Sequence, residues 1–273
     1  TKSKLKVIEL FSGIGAQRKA LENIGVDHEV ICVSDIDKYA HQSYEAIFGK
    51  TDNFGDITKI EKLPYADMWT YSFPCTDLSV AGKQAGLNNT RSGLLYEVER
   101  LLNISKDNNE LPKYLLLENV KNLVGKKFKP DFDNWVEYLN ELGYNTYWQV
   151  LNAKDYGIPQ NRERVFALSI RKDIDKCNYK FPLKQELKLR IKDITEKNVE
   201  AKYYLKEETQ KKFFEKYLIE IQNKRNNELI KVGNASIYDK SQAGNVYHED
   251  GISPKLCAGT HGYAMGNILE NKI

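Results

Sequence analysis

Along the first two-thirds of the chain, short apolar runs alternate with segments of helical periodicity, and that alternation leaves few folds open. KVIELF (6–11), EVICVSD (29–35), DMWTYSF (67–73), KYLLLENV (113–120), NTYWQVLNA (145–153) and RVFALSIRK (164–172) read as strands, being rich in β-branched and aromatic residues. Between them QRKALENIG, KYAHQSYEAIFG, TRSGLLYEVERLLNI and FDNWVEYLNELG carry apolar residues on one helical face, and three of the four stop at a glycine. Strands separated by helices of about 10–15 residues predict an α/β fold, a doubly wound and mostly parallel sheet with helices on both faces. The first strand runs into the turn Ser12-Gly-Ile-Gly-Ala16. A glycine pair there suits a nucleotide-type cofactor at the carboxyl edge of such a sheet.

Around Phe181-Pro182 the texture changes. Residues 183–231 are heavily charged and helical in pattern, strongest in KEETQKKFFEKYLIEIQNK, and glycine-rich β-like pieces follow Gly233. We therefore expect a first domain over 1–181 and a smaller one over 182–273. With 41% hydrophobic residues the chain can build a sizeable core, and the balance of 41 basic against 38 acidic residues permits an anionic partner without demanding one. The four cysteines form no CxxC pair, so neither a metal site nor a disulfide framework is expected. No run approaches the roughly 20 apolar residues of a membrane span, and the N-terminus lacks a secretory pattern. The expected location is the cytoplasm.

Several residues can carry chemistry. The glycines of FSGIGA let a backbone approach a ligand at a helix N-terminus, although many strand–turn–helix units hold two glycines. Asp35 ends the second strand, placed either for ribose hydroxyls or, like Asp37, as the cap of the next helix. Asp56 is either a turn residue or a contact to a cofactor amine. Cys75 follows Pro74 at the carboxyl end of the third strand. Free cysteines are usually core filler, but this one stands at the edge where doubly wound sheets keep their ligands. Glu118-Asn119 closes the next strand on the same edge. There a carboxyl group beside leucines is either a cap or a proton donor in low-dielectric surroundings. Gln160-Asn-Arg-Glu-Arg-Val165 is either a solvated turn or a fork of guanidinium donors from Arg162 and Arg164.

FSGIGA, PCTDLS, ENV and QNRERV, in this order and spacing, resemble the motif series of the DNA (cytosine-5) methyltransferases, in wording closest to bacterial restriction-modification enzymes. The resemblance covers nearly the whole chain, including SVAGKQAGL after the cysteine. It implies S-adenosylmethionine as methyl donor, S-adenosylhomocysteine as product, double-stranded DNA as partner and no metal. It implies a Rossmann-like catalytic domain over 1–181 and a target-recognition domain from 182. Cys75 would add to C6 of a flipped-out cytosine. Glu118 would hold or protonate N3, and Arg164 would donate to O2 with Arg162 in support. Phe11, Ser12, Gly13, Gly15, Ala16, Asp35, Ile36, Asp56, Ile57 and Pro74 would line the cofactor pocket, with Phe11 on the adenine ring, Asp35 on the ribose and Asp56 on the adenine amine. Asn119 and Pro74 would shape the base pocket. Ser79, Lys83 and Arg91, in the glycine-bounded loop 79–93, would meet phosphates as that loop closes. Gln242 would fill the gap left in the duplex.

Two departures stand out. The family's Pro-Thr-Leu triplet is Pro254-Lys255-Leu256 here, with Lys255 still able to reach a phosphate, and the family's later segments do not follow it. The expectations are an enzyme completed by a second polypeptide, a truncated copy, or an inert DNA-binding subunit that keeps the fold. An RNA cytosine methyltransferase would use the same chemistry.

Overall fold

The computed structural model describes residues 3–74, 93–223, 229–235, 244–254 and 267–269. The chain divides into two compact units, one of residues 1–151 and 164–181, the other of 152–163 and 182–273.

The first unit is built on a six-stranded sheet. Its strands are β1 (Leu5–Leu10), β2 (His28–Ser34), β3 (Met68–Tyr71), β4 (Tyr114–Val120), β5 (Tyr144–Asn152) and β6 (Glu163–Arg171), in the order β2-β1-β3-β4-β6-β5. β2, β1, β3 and β4 are mutually parallel, whereas β6 runs back antiparallel to β4. The fold is thus α/β and mostly parallel. Helices α1 (Ala16–Asn23), α2 (Lys38–Phe48), α3 (Leu94–Asp107) and α4 (Lys129–Leu142) supply the crossovers and flanks.

The sequence explains these elements locally. In α3, Leu95, Val98, Leu101 and Leu102 are buried, and in α4 Phe132, Trp135, Leu139 and Leu142. Both sets follow the three-and-four spacing of a core-facing stripe. α4 stops at Gly143, whose φ of 104° is a left-handed cap. The two helices meet strands through Ile8, Leu10, Trp69, Tyr71, Leu115 and Leu117 in one core. The Trp135 indole donates to the buried Tyr71 hydroxyl at 3.1 Å, so two large rings enter the core without an orphaned polar group. β4 alternates strictly: Leu115, Leu117 and Asn119 are fully buried, and Tyr114, Leu116, Glu118 and Val120 are half-buried. With a period of two, that places Glu118 on the less buried face.

The second unit holds α5 (Glu207–Asn223) against a three-stranded sheet of β7 (Lys231–Asn234), β8 (Asn245–His248) and β9 (Asn267–Leu269). Phe213, Ile230, Val232 and Val246 form its core. Residues 152–163 belong to this unit through backbone bonds, Asn161 N–H to Ser253 O at 2.8 Å and Ser253 N–H to Pro159 O at 2.7 Å, and through the Lys184–Asp155 ion pair at 2.7 Å. The helical pattern expected over 183–231 is confined to α5. Upstream, the backbone donors of Ile191 and Lys192 go to the carbonyls of Gly251 and Glu249. Those two residues open a single 3₁₀ turn, Ile191–Asp193, whose first donors have no partner within the turn. Among the described residues no helix is long and apolar enough to cross a membrane.

Candidate active site

The first βα turn starts where β1 ends. Phe11, at φ 57°, leaves the strand, and its N–H and that of Ser12 both donate to the Ser34 carbonyl, at 2.7 and 3.3 Å. Gly13 and Gly15 follow at φ 53° and 83°, a left-handed region that glycine enters without a side-chain penalty. A Cβ on Gly13 would meet nothing within 4 Å, whereas one on Gly15 would lie 2.4 Å from the Phe48 ring. Gly13 therefore borders open space and Gly15 a packed wall. Under this turn Glu9, fully buried in β1, accepts the Arg18 N–H of α1 at 3.0 Å and the Tyr44 hydroxyl. Burial pushes its carboxyl up, against the opposing pull of those two donors. The Ser12 hydroxyl is buried and meets no partner among the described residues. An orphaned hydroxyl beside an open glycine fits a polar ligand.

Asp35 stands at the carboxyl end of β2 and ties this turn down. Its carboxylate accepts from Gly13 N–H at 2.7 Å and from Asp37 N–H at 2.8 Å. The cap of α2 is Asp37, which accepts from Tyr39 and Ala40 N–H at 2.8 and 3.1 Å. The two readings of Asp35 are thereby separated, since another residue does the capping. Ile36 is 80% exposed and Ile14 56%, apolar side chains left without a core at the rim of the turn. Asp56 accepts from the Thr58 N–H and hydroxyl at 3.0 and 2.8 Å, and these bonds hold its carboxyl below the usual range. Ile57 beside it is buried. The residues of this edge fit an adenosine-type ligand: hydrogen-bonding carboxylates, an unpartnered hydroxyl, an open glycine and exposed aliphatic groups.

Farther along the same sheet edge, β3 leads to Phe73 and Pro74. Phe73 is buried, and its carbonyl accepts from the Asn119 side chain at 3.1 Å. Asn119 Oδ1 in turn accepts from Val120 N–H at 2.8 Å. The end of β4 thus fixes the backbone two residues before Cys75. Arg164, at the start of β6, pairs with Val120 across the antiparallel ladder. Residues directly opposite share a face, as do i and i+2 on one strand, so Arg164 and Glu118 point to the same side. Arg164 Nε lies 3.1 Å from Glu118 Oε1, with the side chains only 12% and 22% exposed. The Glu118 carboxylate, beside its leucine neighbours, thus meets a guanidinium. Arg162 precedes Arg164 by two positions, where the chain passes from one unit to the other. Its backbone N–H there donates to Asn152 Oδ1 at 3.0 Å. Cys75, Ser79, Lys83, Arg91, Gln242 and Lys255 lie outside the described residues.

Two residues of this edge were not singled out by motif. Glu9 carried a signal, an acid inside the apolar run KVIELF, since carboxylates are almost never fully buried without partners. Asn53 carried none, because Asn-Phe-Gly-Asp reads as an ordinary turn.

A mostly parallel sheet with an open glycine turn after its first strand and a carboxylate closing its second defines a Rossmann-like α/β fold. The fold matches that of S. pombe Dnmt2 methyltransferase, with a TM-score of 0.64 at 20% identity over 97% of this chain and 74% of that one. It also matches Entamoeba histolytica methyltransferase EhMeth, with a TM-score of 0.64 at 22% identity over 78% and 67%. The model of the C-5 cytosine-specific DNA methylases matches residues 5–260, and the chain belongs to that family. Among curated relatives, the type II methyltransferase M2.ScrFI of Lactococcus lactis subsp. cremoris is 40% identical over 74% of this chain and 70% of its own length. The orphan methyltransferase M.SPBetaI of Bacillus phage SPbeta is 33% identical over 99% and 75%. The type II methyltransferase M.HhaI of Haemophilus parahaemolyticus is 37% identical over 70% and 56%.

Proposed function

We propose that this chain methylates C5 of a cytosine in a specific DNA sequence, with S-adenosylmethionine as donor and Cys75 as nucleophile. The observation that carries the proposal is the Glu118–Arg164 pair at 3.1 Å on the sheet edge where Asn119 holds the Phe73 carbonyl. The ion pair and the Asn119 bond lie on opposite faces of the carboxyl end of β4, and the neighbouring strand β3 leads from there toward Cys75. Bound S-adenosylmethionine would supply an electrophilic methyl group. Gly13, Asp35, Ile36, Asp56 and Ile57 would hold it, with Phe11, Ser12, Gly15, Ala16 and Pro74 shaping the pocket.

Cytosine C5 is a weak nucleophile. Addition of the Cys75 thiolate to C6 moves electron density toward C5 and N3, so that C5 can accept a methyl group; loss of the C5 proton to a base and expulsion of the thiolate from C6 would then restore the ring and free the enzyme. Glu118 would hold a proton at N3 as charge builds there, and Arg164 would both orient Glu118 and donate to O2, with Arg162 in support. C6 is out of reach inside a duplex, so the base leaves the stack at a cost of a few kcal/mol. Ser79, Lys83 and Arg91 would then take phosphates, Gln242 the vacated position, and Lys255 a phosphate in the second unit, which would read the target sequence. Such an enzyme works on chromosomal DNA in the cytoplasm.

The test is transfer of a labelled methyl group from S-adenosylmethionine to unmethylated DNA, for this chain alone and with a candidate second polypeptide, Cys75→Ser serving as blank. Label that appears with wild type and vanishes in the blank supports the mechanism, and dependence on the added polypeptide would make it part of the enzyme. DNA binding with no transfer in either arm overturns the catalytic reading in favour of an inert subunit.

A further inference from the structure

Asn53 takes no part in the chemistry above, yet its side chain joins the two acid-bearing turns. Its Oδ1 accepts from the N–H groups of Asp35 at 3.0 Å and Gly55 at 2.9 Å, and its Nδ2 donates to the Asp35 carbonyl at 3.0 Å. The backbone supports the same junction. Val33 and Asn53 form a parallel bridge, Phe54 N–H donates to Val33 O at 2.8 Å, and the Ser34 hydroxyl donates to Gly55 O at 2.7 Å. An asparagine that only makes a turn bonds to its own backbone two residues on. Asn53 does so at Gly55 and also commits both polar atoms of its amide to Asp35, 18 positions away. One line of hydrogen bonds therefore runs from Gly13 through the Asp35 carboxylate, back along Asp35 to Asn53, and on to Gly55, whose neighbour is Asp56.

We propose that Asn53 is a positioning residue for the adenosine part of the cofactor, setting the spacing between Asp35 and Asp56. This rests on the reading of the site as one for S-adenosylmethionine. Asn53 reaches no reacting atom, so its loss falls on cofactor affinity and not on the chemical step. Asn53→Asp keeps both acceptor bonds but loses the donor and sets a charge against the Asp35 carbonyl. Asn53→Ala loses all three bonds.

The test measures binding of S-adenosylhomocysteine by calorimetry, binding of an unmethylated DNA duplex, and the thermal unfolding midpoint, for the full chain and both variants. Asn53→Ala should weaken S-adenosylhomocysteine about tenfold or more and Asn53→Asp less, as expected when a supporting shell is loosened. DNA affinity should stay unchanged. In turnover, KM for S-adenosylmethionine should rise while kcat at saturation stays within about twofold, the pattern of lost uniform binding. In a double-mutant cycle Asp56→Ala should cost less in the Asn53→Ala background than in wild type. Wild-type affinity in Asn53→Ala overturns the proposal. So does an equal loss of cofactor and DNA affinity with a lowered midpoint in both variants, which would make Asn53 a structural turn residue only. If Asn53→Ala fails to fold, Asn53→Asp decides by the same readouts. A wild-type chain that binds DNA but no S-adenosylhomocysteine overturns the cofactor reading itself, and this inference with it.

Discussion

Gly13→Ala and Gly15→Ala are the same chemical change in one turn, and the structure gives them opposite consequences. Both positions sit at positive φ, 53° and 83°, where an L side chain costs roughly 1–2 kcal/mol. Alanine returns about 0.4–1 kcal/mol by narrowing the unfolded chain. For Gly13 nothing else enters, because no atom of the described residues lies within 4 Å of the added Cβ; the net loss should be near 1 kcal/mol. For Gly15 the Cβ would come 2.4 Å from Phe48 Cε2 and 2.7 and 2.9 Å from two atoms of the Tyr44 ring. Neither ring can step aside freely. Tyr44 is fully buried with its hydroxyl on Glu9, and the Arg18 guanidinium lies 4.6 Å over Phe48. Overpacking of that kind adds roughly 1–3 kcal/mol, for a total near 2–4 kcal/mol.

Denaturant titration of both variants reads the stability, and calorimetry with S-adenosylhomocysteine reads the site. Gly15→Ala should lose the larger unfolding free energy, while Gly13→Ala, whose new methyl projects into the space assigned to the cofactor, should lose about tenfold or more in affinity. The reasoning is refuted if Gly15→Ala is no less stable than Gly13→Ala. It is equally refuted if Gly13→Ala binds the ligand as wild type does.

Three further outcomes follow from single contacts. Arg164→Ala should lower methyl transfer at saturating substrates by about a hundredfold, the scale of losing one electrostatic donor, with S-adenosylhomocysteine affinity unchanged; initial rates and calorimetry check both halves. Asp37→Ala removes the cap of α2 and should cost about 1 kcal/mol in denaturant unfolding, whereas an equal loss of cofactor affinity would show that the capping role is incomplete. Burial raises the Glu9 carboxyl, so the native state keeps that proton longer than the unfolded chain. Its contribution to stability is present at low pH and lost as pH rises from roughly 4.3 through the raised folded value. Relative to Glu9→Gln, wild type should therefore lose unfolding free energy with rising pH across that window, and a difference that is flat with pH would refute the assignment.

What was legible in the sequence is what residue type and period encode. The six strand runs and four helical stripes of the first unit all appear, because alternation and three-and-four spacing are local properties. Strand direction is not local. RVFALSIRK reads the same as a parallel or an antiparallel strand, and β6 runs antiparallel to β4. That direction is what brings Arg164 opposite Val120 and beside Glu118. The partner of Glu118 is non-local for a related reason. The run Tyr-Leu-Leu-Leu indicates low-dielectric surroundings, and alternation places the acid on the half-buried face with a guanidinium partner from another strand. Segment 183–206 had the charge texture of a helix, yet it forms only the short 3₁₀ turns Ile191–Asp193 and Ala201–Tyr203.

The same distinction separates Asp35 from Asn53. Asp35 could be singled out because a carboxylate at the end of a second strand is a type demanded by the chemistry of ribose. Asn53 is a type that turns use everywhere, and its local bond to Gly55 is the ordinary one. Its distinguishing bonds go to Asp35, and no spacing rule predicts a pair fixed by the meeting of β2 with a turn. A site of this kind is therefore read from sequence where its residues touch the ligand, and from structure where they hold one another. Cofactor affinity in Asn53→Ala measures the second class alone, since every residue expected to touch the ligand would still be in place.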